Sequence, residues 1–196
     1  MDHLSALCVF CGSNLGLDPA YAESARRLGR LLAERGVKVI YGGGRVGLMG
    51  TLADAALEAG GAVVGVIPHA LKRREMAHEG LTDLRIVQTM HERKQLMADL
   101  SDGFVALPGG FGTFEEFCEV LTWSQLGLHG KPCGLLNVKR YYAGLLALFD
   151  HAVAEQLLQP RNRAMVIAET EPEALLDAMQ RYRAPPVERW LTAETT

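Results

Sequence analysis

No apolar run in these 196 residues approaches the length of a membrane span, and the start, MDHLSALCVF, lacks a basic segment followed by a small-residue cleavage site. A large excess of either sign of charge is missing as well. The 20 Lys and Arg against 23 Asp and Glu leave a formal charge of −3, which gives no bulk attraction to nucleic acid or to an anionic membrane. Any phosphate site must therefore be local. Cysteine is limited to four residues. Cys8 and Cys11 form a C-x-x-C, but ALCVFCGS is strand-like, and an odd spacing on a strand sends the two thiols to opposite faces. No second C-x-x-C or His pair completes a zinc site, so buried, reduced thiols in a cytoplasmic protein are expected. A G-x-x-x-x-G-K-[ST] motif is also missing, which argues against an ordinary P-loop nucleoside triphosphatase.

What the chain does have is apolar material, at 48% of residues, against 22% charged: enough for the core of one α/β domain. Short apolar runs (LCVFCG, VKVIY, AVVGVIP, LRIVQ, FVALP, PCGLLNV, AMVIA) alternate with helical patterns from end to end. Asp18-Pro19 is a natural helix opening, followed by Tyr21, Ala25, Leu28 and Leu32 on one face and a stop at Gly36. Further helices are expected to about Ala59, from about Met90, from about Phe114, through Leu157, and over 172–182. Continuous apolar strands separated by amphipathic helices predict a single doubly wound, mostly parallel, Rossmann-like sheet covered on both faces. That domain takes residues 1–184, and 185–196 form a loosely attached tail in which Trp190 is the one candidate for docking.

Ligands of such sheets bind beyond the carboxyl ends of the strands, and glycine turns gather there: CGSN, YGGGRVGLMG and LPGGFGTFEE. Gly42-x-Gly44-x-x-Gly47 has dinucleotide spacing, yet it follows the second strand, and the acidic residue expected about 20 positions on is missing. Tight helix–sheet packing with backbone lining a pocket is the preferred reading, ahead of nicotinamide-dependent reduction. In TMHERK, Thr89 and Glu92 have capping-box spacing. Arg93 and Lys94 then fit two readings equally, a solvated helix face or a pair of cations holding an anion. Thr113 and Glu116 have the same capping spacing, which accounts for Glu116 as a cap. It leaves Gly109, Gly110 and Gly112 unexplained, since glycine there costs entropy unless something approaches closely or φ is positive. A carboxylate beside a phosphate seat suits hydrolysis at a sugar carbon, where positive charge develops.

PGGFGTFEE matches the P-G-G-x-G-T-x-x-E signature of the LOG (Lonely Guy) family, with MHERK at the family's spacing upstream and YGGGRVGLMG, CVFCGS and GLLNV matching as well. The chain resembles that family from about Leu7 to the last helix. The resemblance implies a cytokinin riboside 5′-monophosphate phosphoribohydrolase. Such an enzyme cleaves an N6-modified adenosine 5′-monophosphate to free base and ribose 5-phosphate, with neither metal nor cofactor, as a homodimer with sites near the subunit interface. It implies Arg93 and Glu116 as catalytic residues. It implies substrate contacts at Lys94, at Gly109, Gly110, Phe111, Gly112, Thr113, Phe114 and Glu115, and at Thr122 and Glu75. The older label of lysine decarboxylase for such proteins finds no lysine in a pyridoxal phosphate setting here. Ser13 either touches the nucleotide or bonds its own turn. Arg45 stands where many relatives carry a small or polar residue. The rival expectation is a non-enzymatic nucleotide or cofactor carrier of the same fold.

Overall fold

The computed structural model describes residues 4–72 and 76–186. Glu75 and Trp190 lie outside the described residues. Seven strands form one sheet in the order β4-β3-β2-β1-β5-β6-β7: β1 Ala6–Phe10, β2 Lys38–Tyr41, β3 Val63–Pro68, β4 Asp83–Val87, β5 Gly103–Ala106, β6 Cys133–Leu136 and β7 Val166–Glu169. Every neighbouring pair is parallel. The apolar runs account for this directly. All five residues of β1 are buried, as are all those of β3, β5 and β6, whereas the edge strands β4 and β7 are only partly covered.

Among the described residues the α-helices are α1 Pro19–Glu34, α2 Gly47–Glu58, α3 Met90–Asp99, α4 Phe111–Gln125, α5 Ala143–Ala154, α6 Pro160–Arg163 and α7 Pro172–Arg181. Helix α1 begins as its sequence dictates: the Asp18 side chain accepts from Ala20 N at 2.9 Å, and Pro19 takes the first turn, where an N–H is dispensable. Gly36, at φ 68°, stands just beyond its end. Two apolar cores flank the sheet. One joins it to α1, α2 and α7 through Leu28, Leu32, Leu52 and Leu175. The other joins it to α3, α4 and α5 through Met97, Phe117, Val120 and Leu145. Cys8 belongs to the second core and Cys11 packs against the first, so the C-x-x-C thiols do point to opposite faces. All four cysteines are free thiols.

Two helix boundaries differ from expectation. Helix α5 ends at Ala154 rather than running through Leu157, because Gln156 adopts φ 59° and breaks the helical turn. Helix α4 begins at Phe111, three residues earlier than expected, and that shift alters the reading of the glycine turn before it.

Candidate active site

The strand order reverses direction between β1 and β5, the place where a doubly wound sheet opens a crevice at its carboxyl edge. Three turns meet there. Gly12 N, after β1, donates to Pro108 O, after β5, at 3.0 Å, and Leu48 N, at the start of α2, donates to Gly12 O at 3.0 Å. A cavity of about 260 Å³ lies between these turns, lined by Ser13, Asn14, Tyr21, Gly109, Gly110 and Tyr141, among others.

Because α4 starts at Phe111, its N-cap is Gly110, which has no side chain with which to cap it. Thr113 and Glu116 are therefore not a capping box. Thr113 is already inside the helix, buried at 4% exposure, and its hydroxyl fills the space beside Gly109: a Cβ on Gly109 would stand 2.1 Å from Thr113 Oγ1. Gly109 is glycine because of close approach, as anticipated. Gly110 and Gly112 are not. Neither has positive φ, and a Cβ on either would meet nothing within 4 Å. They leave the first turn of α4 open, with its N–H groups and positive dipole end uncovered by side-chain caps.

Arg93 settles one of the two open readings. It is only 5% exposed, so it is no solvated helix face. Its Nε donates to Val66 O at 3.0 Å and its Nη2 to Gly42 O at 2.8 Å, which ties α3 to the ends of β3 and β2. The guanidinium occupies the place a side chain on residue 42 would need, since a Cβ there would lie 2.1 Å from Nη2. Glu116 is half-buried on α4. Both charges act on the Cys8 thiol beneath the edge: it is pushed well up, first by burial and then by the Glu116 carboxylate, while Arg93 acts in the opposite sense. Burial and Glu116 likewise raise Cys11. Such thiols stay protonated and unreactive near neutrality.

Lys94 turns elsewhere. Its Nζ donates to Glu115 Oε1 at 2.6 Å and to Glu119 Oε1 at 2.9 Å, beside a groove of about 550 Å³ between α3 and α4 that Trp123 also lines. Burial works to lower its pKa, but the two carboxylates prevail and hold it above the usual lysine value. Thr122, six residues beyond Glu116, is rotated by about 240° from it on α4. Its hydroxyl donates to Cys118 O at 2.8 Å, beside an apolar groove formed with α5 and α6. Phe111 is 93% exposed at the helix start, whereas Phe114 faces the core and packs edge-on to Tyr142. Arg45 is exposed. Within one chain the carboxyl edge thus gathers Ser13, Arg93, Gly109, Gly110, Thr113 and Glu116, but not Lys94 or Thr122.

The family model described as "Possible lysine decarboxylase" matches residues 49–179. The cytokinin riboside 5′-monophosphate phosphoribohydrolase of Rhodococcoides fascians is 51% identical over 176 residues, covering 89% of this chain and 89% of its own. One from Arabidopsis thaliana is 46% identical over 90% of this chain and 81% of its own. The chain belongs to the LOG family. Among solved structures, the molybdenum cofactor carrier protein of Chlamydomonas reinhardtii superposes with a TM-score of 0.69, covering 91% of this chain and 98% of that one. At 21% identity that likeness speaks for the shared fold.

In this LOG-family chain two residues at the carboxyl edge carry no sequence signal of what they touch. Gly42 lies in the turn expected to pack and to line a pocket with its backbone, and nothing local signals that an arginine 51 positions on will occupy its missing side chain. Tyr141 follows β6, whose turn ends in NVKRYY, and carries no glycine or acidic signature at all. The one available signal was a pair of adjacent tyrosines at the carboxyl end of a strand.

Proposed function

We propose that this LOG-family protein hydrolyses the N-glycosidic bond of N6-modified adenosine 5′-monophosphates, releasing the free base, a cytokinin, and ribose 5-phosphate. The observation that carries this reading is the pairing of an uncapped helix start with two opposite charges: Arg93, buried and anchored to Val66 O and Gly42 O, and Glu116, one helical turn inside α4. The substrate phosphate sits against the N–H groups that open α4, with Gly109, Gly110 and Ser13 around it. Water adds to the anomeric carbon as its bond to the base nitrogen breaks, and the base departs with the bonding electrons and is protonated from solvent. Glu116 stabilises the oxocarbenium-like charge and takes the proton from the attacking water. Arg93 steadies the negative charge that gathers beside the glycine turns.

The working enzyme is a cytoplasmic homodimer in this reading. Lys94 and Thr122, which lie on other faces of α3 and α4, serve a substrate only across a subunit interface, and light scattering should return twice the 21.3 kDa chain mass. The carrier reading predicts nucleotide binding with no product. Chromatography of a panel of nucleoside monophosphates decides between the two: base and ribose 5-phosphate should form from AMP or isopentenyl-AMP, with little turnover of unphosphorylated nucleosides. Glu116→Gln should lower turnover by about a thousandfold with the fold intact by circular dichroism. Near-normal rates in that variant, or in Arg93→Lys, would remove the roles assigned to these residues.

A further inference from the structure

Three successive carbonyls lead into α4, and a turn that seats an anion has to keep all of them occupied. Pro108 O accepts from Gly12 N at 3.0 Å. Leu107 O accepts from the Tyr142 hydroxyl at 2.6 Å, and Gly109 O accepts from the Tyr141 hydroxyl. Adjacent tyrosines after β6 thus hold two carbonyls of the β5–α4 turn. Tyr142 does so from the core, at 1% exposure, whereas Tyr141 is 38% exposed and forms a wall of the crevice cavity.

The backbone that delivers Tyr141 is strained. Lys139 (φ 51°, ψ 29°) and Arg140 (φ 61°) both sit in the left-handed region, without a glycine between them. Two consecutive residues in that region are costly, and such strain persists where the surroundings impose it, commonly beside functional sites. The ring beyond them is clamped edge-on by Tyr21, with centroids 5.7 Å apart, and by Tyr142, at 5.1 Å. Tyr142 N is held in turn by Asn137 Oδ1 at 2.7 Å.

We propose that Tyr141 is a positioning residue of the phosphate turn. The Gly109 carbonyl it holds shares a rigid trans peptide plane with the N–H of Gly110, the N-cap of α4, so fixing one fixes the other. The same bond keeps the Gly109 oxygen engaged when a phosphate arrives, sparing the anion a lone pair at close range. Tyr141 therefore selects for the phosphorylated end of the ligand and is indifferent to its base. This inference rests on the monophosphate reading above.

Ribose 5-phosphate and adenine, titrated separately by calorimetry into the wild-type protein and into Tyr141→Phe, test it without any turnover. One neutral hydrogen bond corresponds to an affinity for ribose 5-phosphate weakened about fivefold in the variant, with adenine unchanged. Tyr142→Phe supplies the structural control, since losing the buried bond to Leu107 O should lower the melting temperature. Equal ribose 5-phosphate affinity in Tyr141→Phe and wild type would overturn the role while leaving the hydrolase reading intact. So would an equal loss for adenine and ribose 5-phosphate, which marks a merely structural effect. A wild-type protein that neither binds ribose 5-phosphate nor releases it from any monophosphate would sink both.

Discussion

Helices α3 and α4 begin with the same four-residue spacing, a threonine followed three positions later by a glutamate, and end up built in opposite ways. At α3 the spacing works as a cap. Thr89 Oγ1 accepts from Glu92 N at 3.1 Å, and the Glu92 carboxylate reaches back to Gln88 N at 2.7 Å, so the helix start is closed by its own side chains. At α4 the helix has started three residues earlier, at glycine. Thr113 is turned inward against Gly109, and Glu116 lies beyond the first turn. The open α4 start is what an incoming anion can complete, while the α3 start is already completed by its own side chains. A motif read as four letters does not distinguish these cases, because the difference lies in which residue is the N-cap.

The comparison can be tested most severely at Arg93's seat. Gly42→Ala places a methyl group where the guanidinium lies, and the side that yields is the end of a long side chain, so the chain should still fold. Turnover should fall about a hundredfold, at a stability cost of about 1–2 kcal/mol for the displaced hydrogen bonds. Unchanged kcat/KM would mean that α3 has no need to hold Arg93 there.

The far part of α4 offers a second test. His129 donates from Nε2 to Val120 O at 2.9 Å while its Nδ1 accepts from Lys131 N, which makes it neutral, and burial pushes its pKa down to about 4. An unfolded histidine titrates near 6.5, so on acidification the unfolded chain binds the proton first. Stability from this group is complete above about pH 6.5 and is lost as pH falls toward 4, by about 2 kcal/mol near pH 4.5. Urea titrations across that range should show a shallower slope in His129→Gln.

The smallest effect separates the two starts directly. Thr89→Ala should cost about 1 kcal/mol of stability, through loss of a genuine cap, and leave KM for AMP alone. Thr113→Ala, which caps nothing, should instead raise that KM several-fold by loosening Gly109. A similar stability loss and no kinetic effect in both would mean that the two starts are alike after all.

Much of this was legible in the chain. The parallel sheet followed from continuous apolar strands with helices between them, and the opening of α1 from Asp18-Pro19. The α3 cap followed from Thr89 and Glu92. What the sequence obscured was consistently a matter of contacts between distant segments. Arg93 could be read as a solvated cation because helical periodicity says nothing of the carbonyls of Val66 and Gly42, brought close only when β3 and β2 pair. Lys94, its neighbour, carries the same charge and turns to α4 instead, a 100° step around the helix that no local signal ranks by function.

The order of hydrophobic and polar residues alone determined the fold class, the helix and strand sequence, and the glycine-rich edge where a ligand would sit, because burial and backbone hydrogen bonding follow short-range periodicity. Only the tertiary structure decided which residues of that edge work together. Arg93 against Gly42, Thr113 against Gly109 and Tyr141 on the Gly109 carbonyl each depend on an approach of a few ångströms between elements whose relative placement is set by the packed sheet.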